Sequence, residues 1–466
     1  MIRYSWIALT MFGCASDDAD KGETGTAPAD TTTTTTTTTN TTFPTTSTGD
    51  LTVSCSATSN ALRFDCTATA EGALTWGLIE DDATVRSLVS EGPDHAVTLY
   101  GMAPNSNNNW GVTGDAGTTF VSVDTGSLPS DMGISLTTTG STEAVRDMLY
   151  PCNGYLVVSN TDGDIVWYEQ VSTGGGGGPS AGIAGFEYTD NGTFLTIVSG
   201  QEVIEWGMDG SQKMTANDFP ELLHHDLDYD DGYIYALTEF DAGGTMVDGF
   251  YVVDAEGNTI KTWDVSDHVT INPSGGGFGG AEWGHSNSIH VQDGRALISL
   301  RWQNAVMEVN ADPNDANFGE IGWVLTGAGS DLMNNFDWTD GGGFQGQHHA
   351  RWTPEGELSI FDNNSGTASR GLRMAVDTTA MTVEETMEWS MGQVCDIQGA
   401  NYELPGGGAI LTCGDGAWAQ VMSASGEQEW RVDAECGSGG GGGGGGPGGG
   451  GGRGGMVPRM MPLLAW

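Results

Sequence analysis

Six of the eight histidines in this chain lie in three short windows that share one design. The windows span residues 223–239, 284–304 and 347–365. Each reads as a polar or histidine cluster, a short strand, an Asp/Glu-Gly turn and a second strand. A hairpin returns the end of its second strand to the start of its first. In the middle window, His285, Asn287 and Arg301 can therefore face one point in space.

Aligning the units on their turn glycines extends this convergence across the repeat. The glycines at positions 232, 294, 356 and 406 place His224, Ser286, His348 and Gln398 in register, with His285 one position earlier and His225 and His349 one position later. The predicted catalytic residues are His224, His225, His285, Arg301 and His348, and the predicted substrate-binding residues are Asn287, His349 and Gln398.

These residue types suit the transfer of an anionic group. Arg301 offers a forked set of donors that stays charged, which favours negative charge that develops on oxygen atoms. A neutral imidazole is a competent nucleophile near neutral pH, and a second histidine can protonate a leaving group. A single histidine beside a turn is usually a packing or surface residue, whereas three aligned windows with an arginine favour a site.

The charge balance excludes several classes of partner. The 466 residues include 62 acidic and 15 basic side chains, for a formal net charge of −47. Such a field repels nucleic acid and anionic membrane surfaces. An anionic substrate would need a local positive site, which makes an arginine beside histidines more informative.

The elements that would position these residues recur six times. The copies begin at glycines 154, 192, 232, 294, 356 and 407, alternate apolar and polar residues with a period of two, and show no amphipathic helix of convincing length. Tryptophans close them at positions 167, 206, 263, 323, 389 and 430. Repeated sheet units predict an all-β fold with a six-bladed β-propeller over residues 143–436, whose first strands line a central channel. Two stacked sandwiches are the alternative.

The regions outside the repeat differ in composition. Residues 1–14 resemble a bacterial lipoprotein signal that would leave Cys14 to carry lipid, and plain secretion is the alternative. Residues 15–50 are predicted to form a threonine-rich, disordered linker, and residues 51–129 are predicted to form a small N-terminal β-sandwich. A glycine-rich tail at 437–466 is predicted to be disordered. The protein is therefore expected to be exported, with a lipid anchor as its only membrane contact.

Six further cysteines suit an oxidising compartment and full pairing. Cys55 and Cys66 sit on neighbouring predicted strands, Cys395 and Cys413 both belong to the last copy, and Cys152 and Cys436 flank the repeat. A Cys152–Cys436 bond would close the ring.

The motifs GHSNSI and SLRWQNAV, with HHD before them and QH after them, resemble the bacterial arylsulfate sulfotransferase family over residues 147–432. The resemblance implies transfer of a sulfuryl group from an aryl sulfate ester to a phenol, without a nucleotide donor or other cofactor, through a transiently sulfurylated histidine. It assigns His348 as that nucleophile, matches His285, Asn287 and Arg301 to sulfate-binding residues, and places a further histidine at His224 or His225. It leaves a homodimer open.

Two other functions fit the same residues. Histidines that converge on an axis could bind a metal in a lyase or hydrolase, although Arg301 would repel the cation and Asp226 is the one carboxylate near the aligned position. Alternatively, the chain is a non-catalytic cell-surface binding propeller. Metal analysis tests the first alternative, and turnover of an aryl sulfate tests the second.

Overall fold

The computed structural model describes residues 51–80, 83–171, 182–273, 276–277, 281–363, 368–437 and 457–464. Within these ranges the chain folds into β-strands with a single 3-10 helix at Val265–Asp267, which confirms the all-β prediction. No helix in the described part is long and apolar enough to cross a membrane. The predicted signal segment with Cys14 and the threonine-rich linker lie outside the described residues.

The N-terminal region contains two antiparallel sheets that share one core. The three-stranded sheet has the order β1-β2-β5 and contains β1 (Val53–Ala57), β2 (Phe64–Thr69) and β5 (Asp94–Leu99). The four-stranded sheet has the order β4-β3-β6-β7 and contains β3 (Leu74–Glu80), β4 (Ala83–Ser90), β6 (Asn107–Gly114) and β7 (Gly117–Asp124). Apolar residues alternate along β2, and both sheets bury their inner faces around Trp76 and Trp110.

Six further antiparallel sheets follow, here numbered 1 to 6. Sheet 1 contains β9 (Asp147–Cys152), β10 (Tyr155–Asn160), β11 (Ile165–Gln170) and β33 (Met461–Leu463). Sheet 2 contains β12 (Ile183–Tyr188), β13 (Thr193–Val198), β14 (Glu202–Gly207) and β15 (Gln212–Ala216). Sheet 3 contains β16 (Leu223–Asp230), β17 (Tyr233–Asp241), β18 (Met246–Val253) and β19 (Thr259–Asp264).

The remaining three sheets repeat the same order. Sheet 4 contains β20 (Ser286–Gln292), β21 (Arg295–Leu300), β22 (Ala305–Asn310) and β23 (Ile321–Thr326). Sheet 5 contains β25 (His348–Trp352), β26 (Leu358–Asp362), β27 (Arg370–Asp377) and β28 (Thr382–Ser390), with the short β24 (Asp337–Trp338) parallel to β28. Sheet 6 contains β29 (Ala400–Glu403), β30 (Ala409–Cys413), β31 (Trp418–Met422) and β32 (Gln428–Cys436), with β8 (Ile134–Gly140) on its outer edge.

Hydrophobic cores join each of these sheets to the next and the sixth to the first. One core combines residues of sheets 6, 1 and 2, and four further cores lie between sheets 2 and 3, 3 and 4, 4 and 5, and 5 and 6. The tryptophans that close the predicted copies are all buried. Four of them donate their indole N–H to a backbone carbonyl of the next sheet, as Trp167 does to Met208 at 2.8 Å and Trp430 to Thr161 at 2.9 Å. The closing tryptophan thus fastens one sheet to its neighbour.

The two ends of the repeat meet in sheet 1, where the tail prediction is wrong in part. Residues 457–464 are ordered, and β33 pairs antiparallel with β9, so that the tail supplies the first strand of sheet 1. The Cys152–Cys436 bond lies beside this closure, and the other two predicted disulfides, Cys55–Cys66 and Cys395–Cys413, are also present. Residues 438–456 of the predicted tail lie outside the described residues.

Candidate active site

Four predicted site residues share an uncommon backbone conformation at the start of the first strands of sheets 3 to 6. His225, His285, His349 and Gln398 have φ angles of 56°, 56°, 55° and 59°. Non-glycine residues in this left-handed region are uncommon, and they cluster at functional sites. The pairing of the first two strands shifts register at this point in sheets 3, 4 and 5.

The backbone equivalence therefore differs by one position from the register that the turn glycines predict. His225, His285 and His349 correspond in conformation, rather than His224, Ser286 and His348. The extra residues of the bulges change the spacing between the turn and the site, which a count from the turn glycine cannot detect.

The first strands enclose a cavity that collects most of the predicted residues. It holds about 380 Å³ of empty space and is lined by Ala184, Gly185, Phe186, His225, Asn287, His348, His349, Gln398, Gly399, Pro458 and Arg459. His225, rather than His224, faces this cavity. His285 stands behind His225, with 4.7 Å between their ring centroids.

Asn363 fixes the orientation and the tautomer of the His348 ring. Its Nδ1 lies 2.7 Å from Oδ1 of Asn363. Both amide hydrogens of Asn363 are donated to carbonyl oxygens, those of Cys395 at 2.6 Å and Gln398 at 2.9 Å. The amide oxygen must therefore face His348 and accept from Nδ1–H, which leaves Nε2 unprotonated. Burial and the charge of Arg301 lower the pKa of His348 to about 3, so the ring is neutral at neutral pH.

His224 and His225 form a buried pair beside it. Their Nδ1 atoms are 2.8 Å apart, so one ring donates to the other. Burial, together with the neighbouring His285, lowers the pKa of His224 to about 4. Burial and the adjacent His224 hold the pKa of His225 well below its ordinary value. Both rings are therefore neutral at neutral pH.

Arg301 is the predicted cation of the site, and its guanidinium lies over the ring of Trp302. Its guanidinium carbon is 4.6 Å from the centre of the indole ring, and Nη2 donates to the carbonyl oxygen of Asp396 at 2.9 Å. Burial lowers the pKa values of His225 and His348, and the positive charge of Arg301 lowers them further. A guanidinium so held presents its remaining donors in a fixed plane.

Asn287 and Gln398 bring amides to the cavity wall. Nδ2 of Asn287 donates to the carbonyl oxygen of Gln347 at 2.8 Å, which fixes the orientation of the amide and leaves one N–H for a ligand. Among the described residues, Oδ1 of Asn287 and Oε1 of Gln398 have no hydrogen-bond partner. Buried polar atoms are normally satisfied, so these oxygens are suited to a bound hydroxyl group or water.

His349 lines the cavity but has both ring nitrogens occupied. Nδ1 lies 3.1 Å from the carbonyl oxygen of Asn401, and Nε2 accepts from Nε of Arg351 at 2.9 Å. Burial and the charge of Arg351 hold the pKa of His349 well below its ordinary value. A ring bonded on both sides cannot act as a nucleophile without losing one of these bonds.

A buried ion network closes one side of the cavity. Its central residue, Arg459, was not predicted from the sequence. Nη1 of Arg459 lies 2.6 Å from Oδ1 of Asp226, and Nη2 lies 3.4 Å from Oε2 of Glu187, which also pairs with Arg351. Burial alone would lower the pKa of Arg459, but the carboxylate of Asp226 raises it. The glycine-rich tail gave no indication that an arginine within it would reach the site.

Asn363 was also missed, although its position carried a usable signal. It follows the second strand of the sheet 5 hairpin, as Arg301 follows the second strand of the sheet 4 hairpin. A hairpin brings the residue after its second strand back to the start of its first strand, so Asn363 is expected at the site for the same reason as Arg301.

Two groups of described residues have the spacing of metal ligands. Glu239, Glu282 and His285 place their ligand atoms within 4.8 Å of one another, and Cys395, Cys413 and Asp415 do the same. The two cysteines are joined as a disulfide. The first group is rich in carboxylates and differs from the three-histidine site that the metal alternative predicts.

Comparisons with known proteins agree with the motifs of the sequence. The model of the Arylsulfotransferase (ASST) family matches residues 138–394. No curated protein sequence matches. Solved structures of similar shape include virginiamycin B lyase from Staphylococcus aureus, with 9% identity, a TM-score of 0.38, and 65% of this chain and 99% of that chain covered. A second is the periplasmic gluconolactonase of Pseudomonas aeruginosa, with 9% identity, a TM-score of 0.37, and 62% of this chain and 96% of that chain covered. A third is BamB from Moraxella catarrhalis, with 12% identity, a TM-score of 0.33, and 64% of this chain and 91% of that chain covered. The family match spans more than half of the sequence and includes the windows that contain His285, Arg301 and His348, and the chain belongs to the arylsulfotransferase family.

Proposed function

We propose that this protein transfers a sulfuryl group from an aryl sulfate ester to a phenol through a covalent intermediate on His348. Membership of the arylsulfotransferase family supports the reaction class. The observation that carries the mechanism is the bond from Nδ1 of His348 to Oδ1 of Asn363, which leaves Nε2 unprotonated on a ring that lines the cavity.

The architecture in this proposal is a six-bladed propeller preceded by a β-sandwich. Six sheets that each share a core with the next, and a sixth that shares one with the first, support the propeller. Two N-terminal sheets packed on a common core support the sandwich. In such a ring the first strand of every blade lies nearest the axis, which brings residues from distant parts of the sequence to one cavity.

The first half-reaction forms a nitrogen–sulfur bond on the protein. Nε2 of His348 attacks the sulfur atom, the bond from sulfur to the aryl oxygen breaks, and the phenoxide leaves and takes up a proton. Negative charge on the sulfuryl oxygens is opposed by the guanidinium of Arg301 and by the free N–H of Asn287. A neutral nucleophile suits this step because an anionic one would repel the sulfate ester.

The second half-reaction returns His348 to its starting state. The oxygen of an acceptor phenol attacks the sulfur atom and loses its proton to the site, and the nitrogen–sulfur bond breaks. The aryl sulfate product then leaves. No external donor of energy is needed, because one sulfate ester bond is exchanged for another.

Export is part of the proposal. Three disulfides suit an oxidising compartment. Lipid attachment at Cys14 would hold the domain at a membrane surface, and a Cys14→Ser variant should then leave the detergent phase in which the wild-type protein is recovered. Recovery of the wild-type protein in the aqueous phase would contradict the anchor.

Turnover of an aryl sulfate with and without a phenol tests the function. We expect release of the donor phenol to depend on the acceptor, and we expect His348→Asn to abolish it. His268→Asn is a matched control, since His268 stacks on Trp263 away from the cavity. Equal release with and without acceptor would indicate a sulfatase instead, and an active His348→Asn variant would exclude this mechanism.

A further inference from the structure

Glu239 and Glu282 form a carboxyl pair beside His285, and neither residue takes part in the two half-reactions. Glu282 precedes β20 in a segment that is anchored to β18 by backbone hydrogen bonds between Met246 and residues 281 and 283. Its Oε2 lies 2.9 Å from Nδ1 of His285 and accepts from Nε1 of Trp302 at 3.0 Å. Glu239, on β17, brings its carboxyl group within 4.8 Å of both Glu282 and His285.

We propose that Glu282, supported by Glu239, makes His285 the general acid and base of the sulfuryl transfer. This inference rests on the proposed function and assigns the proton that the two half-reactions require. Glu282 is a positioning residue, because it acts through His285. A carboxylate bonded to Nδ1 fixes the orientation of the ring, directs Nε2 away from itself, and stabilises the positive charge that forms when Nε2 takes a proton.

The other histidines of the site are less suited to this task. His348 is the nucleophile, and His349 is bonded at both ring nitrogens. His224 and His225 share a hydrogen bond inside the protein, and burial disfavours their charged forms. Of these five histidines, His285 alone is bonded to a carboxylate among the described residues.

The neighbouring Glu239 keeps the negative charge of the pair to one. Burial and the hydrogen bond to Glu282 raise the pKa of Glu239 to about 8. Burial raises the pKa of Glu282, but the hydrogen bonds from His285, Glu239 and Trp302 outweigh burial and lower this pKa to about 2. At neutral pH the pair therefore holds one proton, and an anionic donor meets less repulsion than two carboxylates would exert.

Other charged groups around the pair act on the same balance. Asp248 lies near both Glu282 and His285, and burial raises its pKa to about 6. On the cavity side, Arg301 contributes a positive charge close to Glu282. The neutral ring of His225 packs against His285, and His224 packs against the ring of His225.

The proton balance closes over a full cycle. As Nε2 of His348 bonds to sulfur, protonated Nε2 of His285 gives its proton to the departing phenoxide oxygen, and His285 becomes neutral. When the acceptor phenol attacks the sulfur atom, Nε2 of His285 takes its proton and regains the starting charge. Glu282 stays ionised and Glu239 stays protonated throughout.

The dependence of the rate on the leaving group tests this assignment. A weakly acidic phenol needs protonation as it departs, whereas 4-nitrophenol leaves readily as its anion. We expect Glu282→Gln to slow transfer from phenyl sulfate by about 10²-fold or more, the usual contribution of general acid catalysis, and to slow transfer from 4-nitrophenyl sulfate far less. Glu256→Gln, on an exposed turn between β18 and β19, is the matched control and should leave both rates unchanged.

A second variant guards against a folding defect. Glu282→Asp restores a carboxylate at this position and should recover part of the rate with phenyl sulfate that Glu282→Gln loses. An equal loss for both donors in Glu282→Gln, or no recovery in Glu282→Asp, would overturn the inference. Wild-type turnover that is abolished by a chelator and restored by a divalent cation would overturn it in favour of a metal at these residues. Absence of phenol-dependent turnover in the wild-type protein would instead contradict the proposed function.

Discussion

Replacing Arg459 with methionine should destabilise the six-sheet domain by about 3 kcal/mol, although the residue lies only seven positions before the last residue, Trp466. The side chain is 7% exposed and pairs with Asp226, which is fully buried, and with Glu187. Removing one partner of a buried ion pair leaves an uncompensated charge and costs about 3–5 kcal/mol. We expect the lower end of that range because Asp226 also accepts the backbone N–H groups of Leu227 and Ile289.

Chemical denaturation followed by tryptophan fluorescence measures this loss. The control is Arg431→Met, which removes a partly exposed pair with Asp433 and should cost at most about 1 kcal/mol. Methionine preserves most of the apolar contact of the arginine stem in both variants. If the two variants lose the same stability, Arg459 is not held in the buried network, and the docking of the C-terminal segment against sheets 1 and 6 is wrong.

Three further outcomes follow from the site and the ring closure. Because burial and the charge of Arg301 lower the pKa of His348 to about 3, protonation of His348 should not reduce kcat/KM for the donor as the pH falls from 7 towards 4. In Arg301→Met the pKa of His348 should rise, so the acid limb of the pH profile should move to higher pH. An unmoved acid limb would contradict the effect of Arg301 on His348. Asn363→Leu removes the acceptor that fixes the His348 tautomer and should lower kcat by about 10²–10⁴-fold with little change in KM, as loss of a tautomer-fixing partner does elsewhere; wild-type kcat would show that the bond is dispensable. Replacing Cys152 and Cys436 by serine should cost about 6 kcal/mol in the chain-entropy account, since their sequence separation is 284 residues. The short disulfide of the N-terminal sheets, whose cysteines are 11 residues apart, should contribute about 3 kcal/mol, and equal shifts in the unfolding midpoint would count against ring closure.

The sequence was informative about the fold where local patterns decide it. Alternation of apolar residues with a period of two, glycine turns and closing tryptophans are visible within each copy. The turn glycine that marks a copy precedes the second strand in sheets 2 to 6 and the third strand in sheet 1, where β33 adds a strand ahead of β9. The three disulfides also followed from position, because Cys152 and Cys436 flank a repeat whose ends meet. Of the residues expected to converge, Asn287 from the hairpin and His348 and Gln398 from the aligned turns line the cavity, whereas His285 and Arg301 are not among its lining residues.

Features that depend on distant pairing were beyond the sequence. The strand β33 has three residues, one of them proline, which is too short to show a period, and its partners on β9 lie more than 300 positions earlier. The backbone irregularities after His285, between Ser286 and Ser288, and within β25 shift the register by steps that the turn residues do not reveal. The carboxyl pair behind His285 joins Glu239 and Glu282 from different sheet regions, and neither residue belongs to a recognisable motif.

Mass spectrometry of protein quenched after incubation with an aryl sulfate alone tests the central claim most directly. With no acceptor present, the first half-reaction should leave a sulfuryl group on Nε2 of His348, and the adduct should appear on the peptide that contains this residue and disappear when a phenol is added. Asn363, which fixes the Nδ1 proton, explains why this nitrogen is the one that reacts. An adduct on a different residue, or phenol-dependent transfer with no adduct on the protein, would contradict the account.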